Sequence, residues 1–353
     1  VISPFHPHSP LRIFAFSVLA SIGILCGVLF GVGPGALLIT FILAIVEITF
    51  SFDNAIINAK VLAKISRPWQ MVFLTLGILI AIFGMRVLFP VVIVMLTAHL
   101  GWSRVVDLAL HHPHQYAHHL EQAHASIAAF GGAFLLLLAL TFFFDDEKTV
   151  HWIGSLERRL HRMGRWWAAP LVALFVLAVF ALLPANTHGE QTITAGLLGA
   201  ATYIFIQTVS GLFTRLQGKR VTQGAQTGAA ALMSLLYLEV LDASFSFDGV
   251  IGAFAITSDV VLIAAGLGIG ALWVRSLTVF MVRRRTLGRY IYVEHGAHYT
   301  VLILALILLA SIIWEISNYI PGLIGIGIIG ASVVASVRDR RLRATLHRTR
   351  DHF

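Results

Sequence analysis

Apolar runs too long to be buried in a soluble core dominate the chain. Several pass the roughly 18 residues that mark a membrane-spanning helix, and they recur along nearly all of its 353 residues. Hydrophobic residues make up 58% of the chain and charged residues only 12%, too few for a water-soluble surface on a protein of this size. Inside lipid every backbone polar group must be satisfied within its own segment, so runs of this length dictate helices. The alternating pattern of a membrane β-barrel is missing from the sequence. The fold class is all-α: a polytopic transmembrane helix bundle.

The runs predict about ten spans, near 12–31, 35–59, 70–96, 125–144, 167–184, 193–213, 224–252, 259–282, 299–317 and 322–337. A cleavable signal peptide is the other reading of 12–31, although Gly33-Pro34-Gly35 after it reads as a tight turn. Pro321-Gly322, between the last two spans, reads as a turn or a kink. With ten spans, 22 of the 25 Lys and Arg residues fall on one side of the membrane. Arg104 falls on the other, and Arg86 and Arg275 lie inside spans. Positive charge stays in the cytoplasm, so both termini are expected there, in a bacterial inner (plasma) membrane. The net charge of +8 is thus a topology signal, and no nucleic-acid partner is expected. The lipid bilayer, metal ions and protons are the expected partners, with association into a homo-oligomer left open.

Phe-Ser-Phe-Asp occurs at 50–53, inside span two, and again at 245–248, inside span seven. Each copy has an acid six residues before its Asp: Glu47 before Asp53, and Asp242 before Asp248. In each case the next span carries a glycine and then an arginine nine residues on, Gly77 with Arg86 and Gly266 with Arg275. Five spans separate the copies, so they run in opposite directions. This is the pattern of an inverted five-plus-five repeat, as found among secondary transporters. Residues 1–184 form the first half, with a His-rich external loop at 99–124, and 185–337 form the second. A basic cytoplasmic tail, 338–353, follows.

An ionised acid at the bilayer centre costs ~2.5–3.5 kcal/mol. Glu47, Asp53, Glu239, Asp242 and Asp248 would together cost on the order of 12–17 kcal/mol if bare. Arg86 and Arg275 supply two counter-charges, and a divalent cation with one proton would balance the rest. Ser51, Ser246 and the Asn54 amide add hard oxygen donors, a ligand set that favours Mn²⁺, Ca²⁺ or Mg²⁺ over soft-ligand metals. On a continuous helix Glu47, Ser51 and Asn54 share a face and Asp53 points elsewhere. Either the second Asp of each motif faces a different neighbour, or the helix unwinds there, with Asn54 and Gly249/Gly252 as the residues that tolerate it. No organic cofactor is expected. An enzyme is not expected either, because no nucleophile or paired His lies within a span.

These residues resemble the TerC family of integral membrane proteins. The first copy matches that family's motif in Glu47, Ser51, Asp53, Asn54 and Ala55, and the second in Glu239, Asp242, Phe245 and Asp248. Ala253 to Thr257 follows the family's Ile-Phe-Ala-Ile-Thr, and the stretch from Phe142 to Trp152 is typical of a branch of unknown function. The resemblance implies divalent-metal handling, chiefly manganese export, a link to tellurite resistance, and kinship with a lysine-exporter-like superfamily. Gly249 departs from it, standing where the second motif commonly has Ser. The expected function is a proton-coupled divalent-metal transporter, most readily a manganese exporter, with Ca²⁺ or Zn²⁺ as alternative substrates. The competing expectation is a membrane scaffold for metal delivery or stress resistance without transport.

Other features have plainer readings. His99, His111, His112, His114, His118, His119 and His124 could gather metal, or form a solvated amphipathic loop. Asp145, Asp146 and Glu147 read as a solvated helix end or a cation vestibule, and Glu315 as an interfacial acid or a site residue. Gly325, Gly327 and Gly330 fit helix packing better than a dinucleotide loop.

Overall fold

A computed structural model of the chain describes residues 10–145, 150–162, 167–216, 226–254, 256–257, 259–284, 290–317 and 319–350. Helix is the only extended regular structure among them. The first half holds α1 (Pro10–Gly31), α2 (Pro34–Phe50), α3 (Phe52–Leu62), α4 (Arg67–Leu79), a π-helical stretch (Ile80–Leu88) and α5 (Phe89–Thr97). Two short helices follow, α6 (Trp102–His111) and α7 (Pro113–Gln122), then α8 (His124–Phe143), α9 (Gly154–Arg162) and α10 (Ala168–Leu182). The second half holds α11 (Gly189–Leu216), α12 (Gly228–Phe254), α13 (Val260–Arg283), α14 (Val293–Ser311) and α15 (Tyr319–Arg350).

Eight helices among the described residues are long and apolar enough to cross a membrane, which makes this a multi-pass membrane protein. The bent pair α2–α3 adds a ninth candidate span, and α10, at 15 residues, is apolar but shorter. Each of the ten expected stretches is helical, with shifted ends. The ninth starts at Val293, six residues early, and closes at Ser311. Pro321 is neither kink nor turn; it sits in the first turn of α15, where its missing N–H has no helical partner to lose. α15 then continues to Arg350, so the described part of the basic tail is helical. Gly33, at φ 122°, makes the turn between α1 and α2, a conformation that suits glycine, and Pro34 starts the next helix.

Without a hydrophobic force between helices in lipid, association depends on close packing and hydrogen bonds. Glycine supplies the close packing. Gly266 and Gly270 of α13, four residues apart, lie against α2: an added Cβ would meet Leu43 Cβ at 2.5 Å and Glu47 Cγ at 2.3 Å. Gly199 of α11 brings its helix onto α8, where a Cβ would stand 2.2 Å from the Phe130 carbonyl oxygen. Hydroxyls supply the rest. Ser17 of α1 hydrogen-bonds Ser276 of α13 at 2.6 Å, and Trp273 Nε1 donates to Ser21 Oγ at 3.0 Å.

α8 is apolar on every face and almost wholly buried, as the central rod of the bundle. It lies against α11 and α14 of the other half, so the two expected halves interlock. Side chains such as Leu19, Phe30, Phe175 and Phe205 are exposed on the outside, the surface a bilayer would cover.

α6 and α7 form an amphipathic hairpin. Its inner face buries Val105, Leu108, Tyr116 and Leu120 over Val250 and Ala253 of α12 and Ile263 of α13. Burial pushes the Tyr116 phenol pKa up.

Candidate cation site at a helix break

The first motif lies at a break in its helix. α2 ends at Phe50, Ser51 leaves helical geometry (φ −95°, ψ 14°), and α3 begins at Phe52 with its axis turned by 52°. The Ser51 N–H still donates to the Glu47 carbonyl at 3.0 Å, and the Ser51 hydroxyl donates to Glu47 Oε1 at 3.1 Å. Glu47 therefore closes the last turn of α2 with its backbone and holds the break with its side chain. The unwinding expected near Asp53 is present, one turn beyond Glu47.

No such break occurs in the second copy, which corrects the expectation for Gly249/Gly252: α12 is continuous from Gly228 to Phe254. The reason is visible at Gly249. An added Cβ would stand 2.9 Å from Glu47 Oε2, so this glycine lets two helices approach and is not spent on loosening one.

Each buried arginine holds acids of its own half. Arg86, at the end of the π-helical stretch, pairs with Glu47, and its Nη1 donates to the Ala81 carbonyl at 2.7 Å. Arg275 pairs with Asp242 at 2.7 Å and with Glu239 at 3.1 Å, and its guanidinium carbon stacks 3.9 Å from the Phe73 ring centre. Gly77 makes room for it, since a Cβ there would lie 2.6 Å from Arg275 Nη1. The acid six residues before each motif Asp is thus bound to the arginine that follows in the next span, in both copies.

The two motifs also touch. Asn54 Nδ2 donates to Asp242 Oδ1 at 2.6 Å, and Asn58 Nδ2 donates to the same oxygen at 3.0 Å. That leaves Asn54 Oδ1 and Asn58 Oδ1 buried with no hydrogen-bond partner. Two orphan amide oxygens beside a carboxylate are hard donors left open, and a small cation would satisfy them. Asn58 went unmarked in the sequence. Its signal was the i, i+4 spacing from Asn54, which places both on one face of α3.

The expected facing holds. Glu47, Ser51 and Asn54 line a slot of about 10 Å³ together with Asp242, Arg86 and Arg275, near the smallest space that takes one water. Asp53 lies elsewhere. It is 3% exposed and accepts the Asn54 N–H at 2.9 Å. With Glu47 and Ser51 it lines a second cavity, of about 700 Å³, whose wall includes Phe245 and Gly249 of the second motif. Glu47 and Ser51 border both spaces. Ser246 and Asp248 lie in α12, but their side chains fall outside the described residues. Among the described residues no three His, Cys, Asp or Glu side chains converge in a way that could hold a metal ion.

The far end of α3 is fastened. Lys60 pairs with Glu294 of α14 and sits 5.0 Å over the Phe142 ring, which stacks on His298 at 3.7 Å. Beside it, the fully buried Glu157 accepts from the Tyr299 hydroxyl at 3.1 Å, and His295 Nε2 lies 3.4 Å away.

Outside the motifs, His111, His112, His114 and His118 are exposed on the α6–α7 hairpin, with His111 Nδ1 3.0 Å from Asp107. His99, at φ 53°, stands before the hairpin, His119 is half-buried, and His124 opens α8. Asp145 is exposed at the end of α8; Asp146 and Glu147 lie outside the described residues. Glu315 is exposed between α14 and α15. Gly325 packs on Thr300 of α14, and with Gly330 it lines the larger cavity.

This architecture defines a class: a multi-pass helical membrane protein with paired, arginine-bound carboxylates at its centre. Residues 52–343 match the model of the family described as protein of unknown function (DUF475), and the chain belongs to that family. No curated protein and no solved structure matches it.

Proposed function

We propose that the protein is a divalent-metal transporter, most readily a proton-coupled manganese exporter, that works by alternating access. One observation carries this reading: the two motif helices meet at Asn54, Asn58 and Asp242, where hard oxygens stand open beside a shared carboxylate. The repeated acid–arginine pairing supports a ten-span, five-plus-five inverted repeat, and the resemblance to TerC proteins supports metal as the cargo.

In this reading Arg86 and Arg275 hold the acids while no ion is bound. An arriving Mn²⁺ meets Asp53 in the larger cavity first and passes to the slot, where Asp242 and Asp248 take it, with Glu47, Glu239, Ser51, Ser246 and Asn54 completing its shell or carrying protons. In this reading both termini lie in the cytoplasm, and the larger cavity, whose lining includes Ile256, Ser317 and Gly322, serves the outer side. The Lys60–Glu294 fastening closes the inner side.

The test is ion flux in vesicles containing only this protein. Mn²⁺ uptake accompanied by proton movement is expected, and it is lost in Asp53→Asn and Asp248→Asn variants that still fold. Absence of flux for Mn²⁺, Ca²⁺ and Zn²⁺ in the unaltered protein rejects transport and leaves a scaffold role.

A further inference from the structure

The larger cavity is out of scale with a bare ion. A hard cation is held by oxygens about 2.0–2.6 Å away, so an ion would occupy only a small corner of about 700 Å³. Cavities of roughly 300–1,000 Å³ with mostly apolar walls and a few polar groups are the size class of organic ligands. The wall here is of that kind. Leu43, Leu267, Leu304, Ile326, Ile329 and Val333 form its apolar length, contributed by α2, α13, α14 and α15. Carboxylates enter only at the motif end.

Among the described residues, only one of the two acids at that end has a cationic partner. Glu47 is bound to Arg86. Asp53 pairs with no cationic side chain among the described residues, although it is 97% buried. A buried carboxylate is stabilised by whatever cation can reach it, and the route to Asp53 is through the apolar cavity.

We propose that this cavity binds an amphipathic organic cation, with an ammonium group at Asp53 and a hydrocarbon body along α14 and α15. This goes beyond ion transport at the narrow slot and stands without it, since Asp53 lines the larger cavity and not the slot, although the two spaces share Glu47, Ser51 and Phe245. An ammonium at Asp53 would also keep a metal ion from that carboxylate.

The probe is dodecyltrimethylammonium, below its micelle concentration, in equilibrium dialysis against lipid nanodiscs with and without the full chain. Saturable binding of one probe per chain is expected, and dodecanol fails to displace it. Binding weakens at least about tenfold in Asp53→Asn. It weakens similarly in Gly330→Leu, a cavity-lining position where an added Cβ meets nothing within 4 Å, so a side chain can start there without a clash. Equal displacement by dodecanol would make this a lipid-tail pocket and overturn the proposal, as would full binding in Asp53→Asn. If Asp53→Asn does not fold, Gly330→Leu decides alone, and unchanged binding there rejects the cavity as the site. Metal flux is measured separately, so its absence would reject transport and leave this result standing.

Discussion

Arg275 balances two acids at once, and that makes it the most consequential side chain in the bundle. Removing one partner of a buried ion pair costs about 3–5 kcal/mol, because the other charge is stranded. Arg275→Met is therefore expected to lower thermal stability in detergent more than any other single change at the site. Glu47→Gln and Arg86→Met should each destabilise, while the double variant recovers part of the loss, as a double-mutant cycle would read. Asp53→Asn breaks no ion pair among the described residues and should leave the melting temperature almost unchanged. The acids and arginines were legible in the sequence because charge inside an apolar run is conspicuous. Their partners were not, except through the repeat: Glu239 gave no sign that it shares Arg275 with Asp242. Asn58 stayed hidden because a lone amide in a helix looks like any polar residue until its carbonyl oxygen is found without a donor.

At the scale of helices, glycine decides which elements touch. Gly199→Ala would set a methyl 2.2 Å from a backbone oxygen of α8, and neither backbone can give way cheaply. We expect a loss of about 1–3 kcal/mol and a matching fall in the unfolding midpoint. Gly327→Ala, where a Cβ meets nothing within 4 Å, should instead be neutral or stabilising by up to about 1 kcal/mol through helix propensity. The sequence revealed the helices and the common face of Glu47, Ser51 and Asn54, since both follow from periodicity. It did not reveal that only the first motif helix breaks. Gly249 fits unwinding and close approach equally well, and Glu47 Oε2 against it decides for approach. The π-helical stretch was also invisible, because its residues, Ile80 to Leu88, read as ordinary apolar helix.

At the scale of the molecule, the proposed orientation puts Ser317, on the wall of the larger cavity, outside and Glu294, at the fastened end of α3, inside. A cysteine at Ser317 should react with a membrane-impermeant maleimide applied outside intact cells, in a background where the only cysteine, Cys26, is serine. A cysteine at Glu294 should not. The reverse pattern would overturn the assigned orientation. The α6–α7 hairpin was expected as a loop, and its helices form because Val105, Leu108, Tyr116 and Leu120 find apolar cover on α12 and α13. Such cover is a property of the assembled bundle, which a sequence read one segment at a time does not show.

The crooked first arm and the straight second arm set a direction. If the halves are related by inversion, a molecule with only its first arm bent at Ser51 stands in one of two reciprocal postures. Straightening that arm while bending its twin would turn the same vestibule toward the opposite side of the bilayer. Each half then serves as a template for what the other becomes.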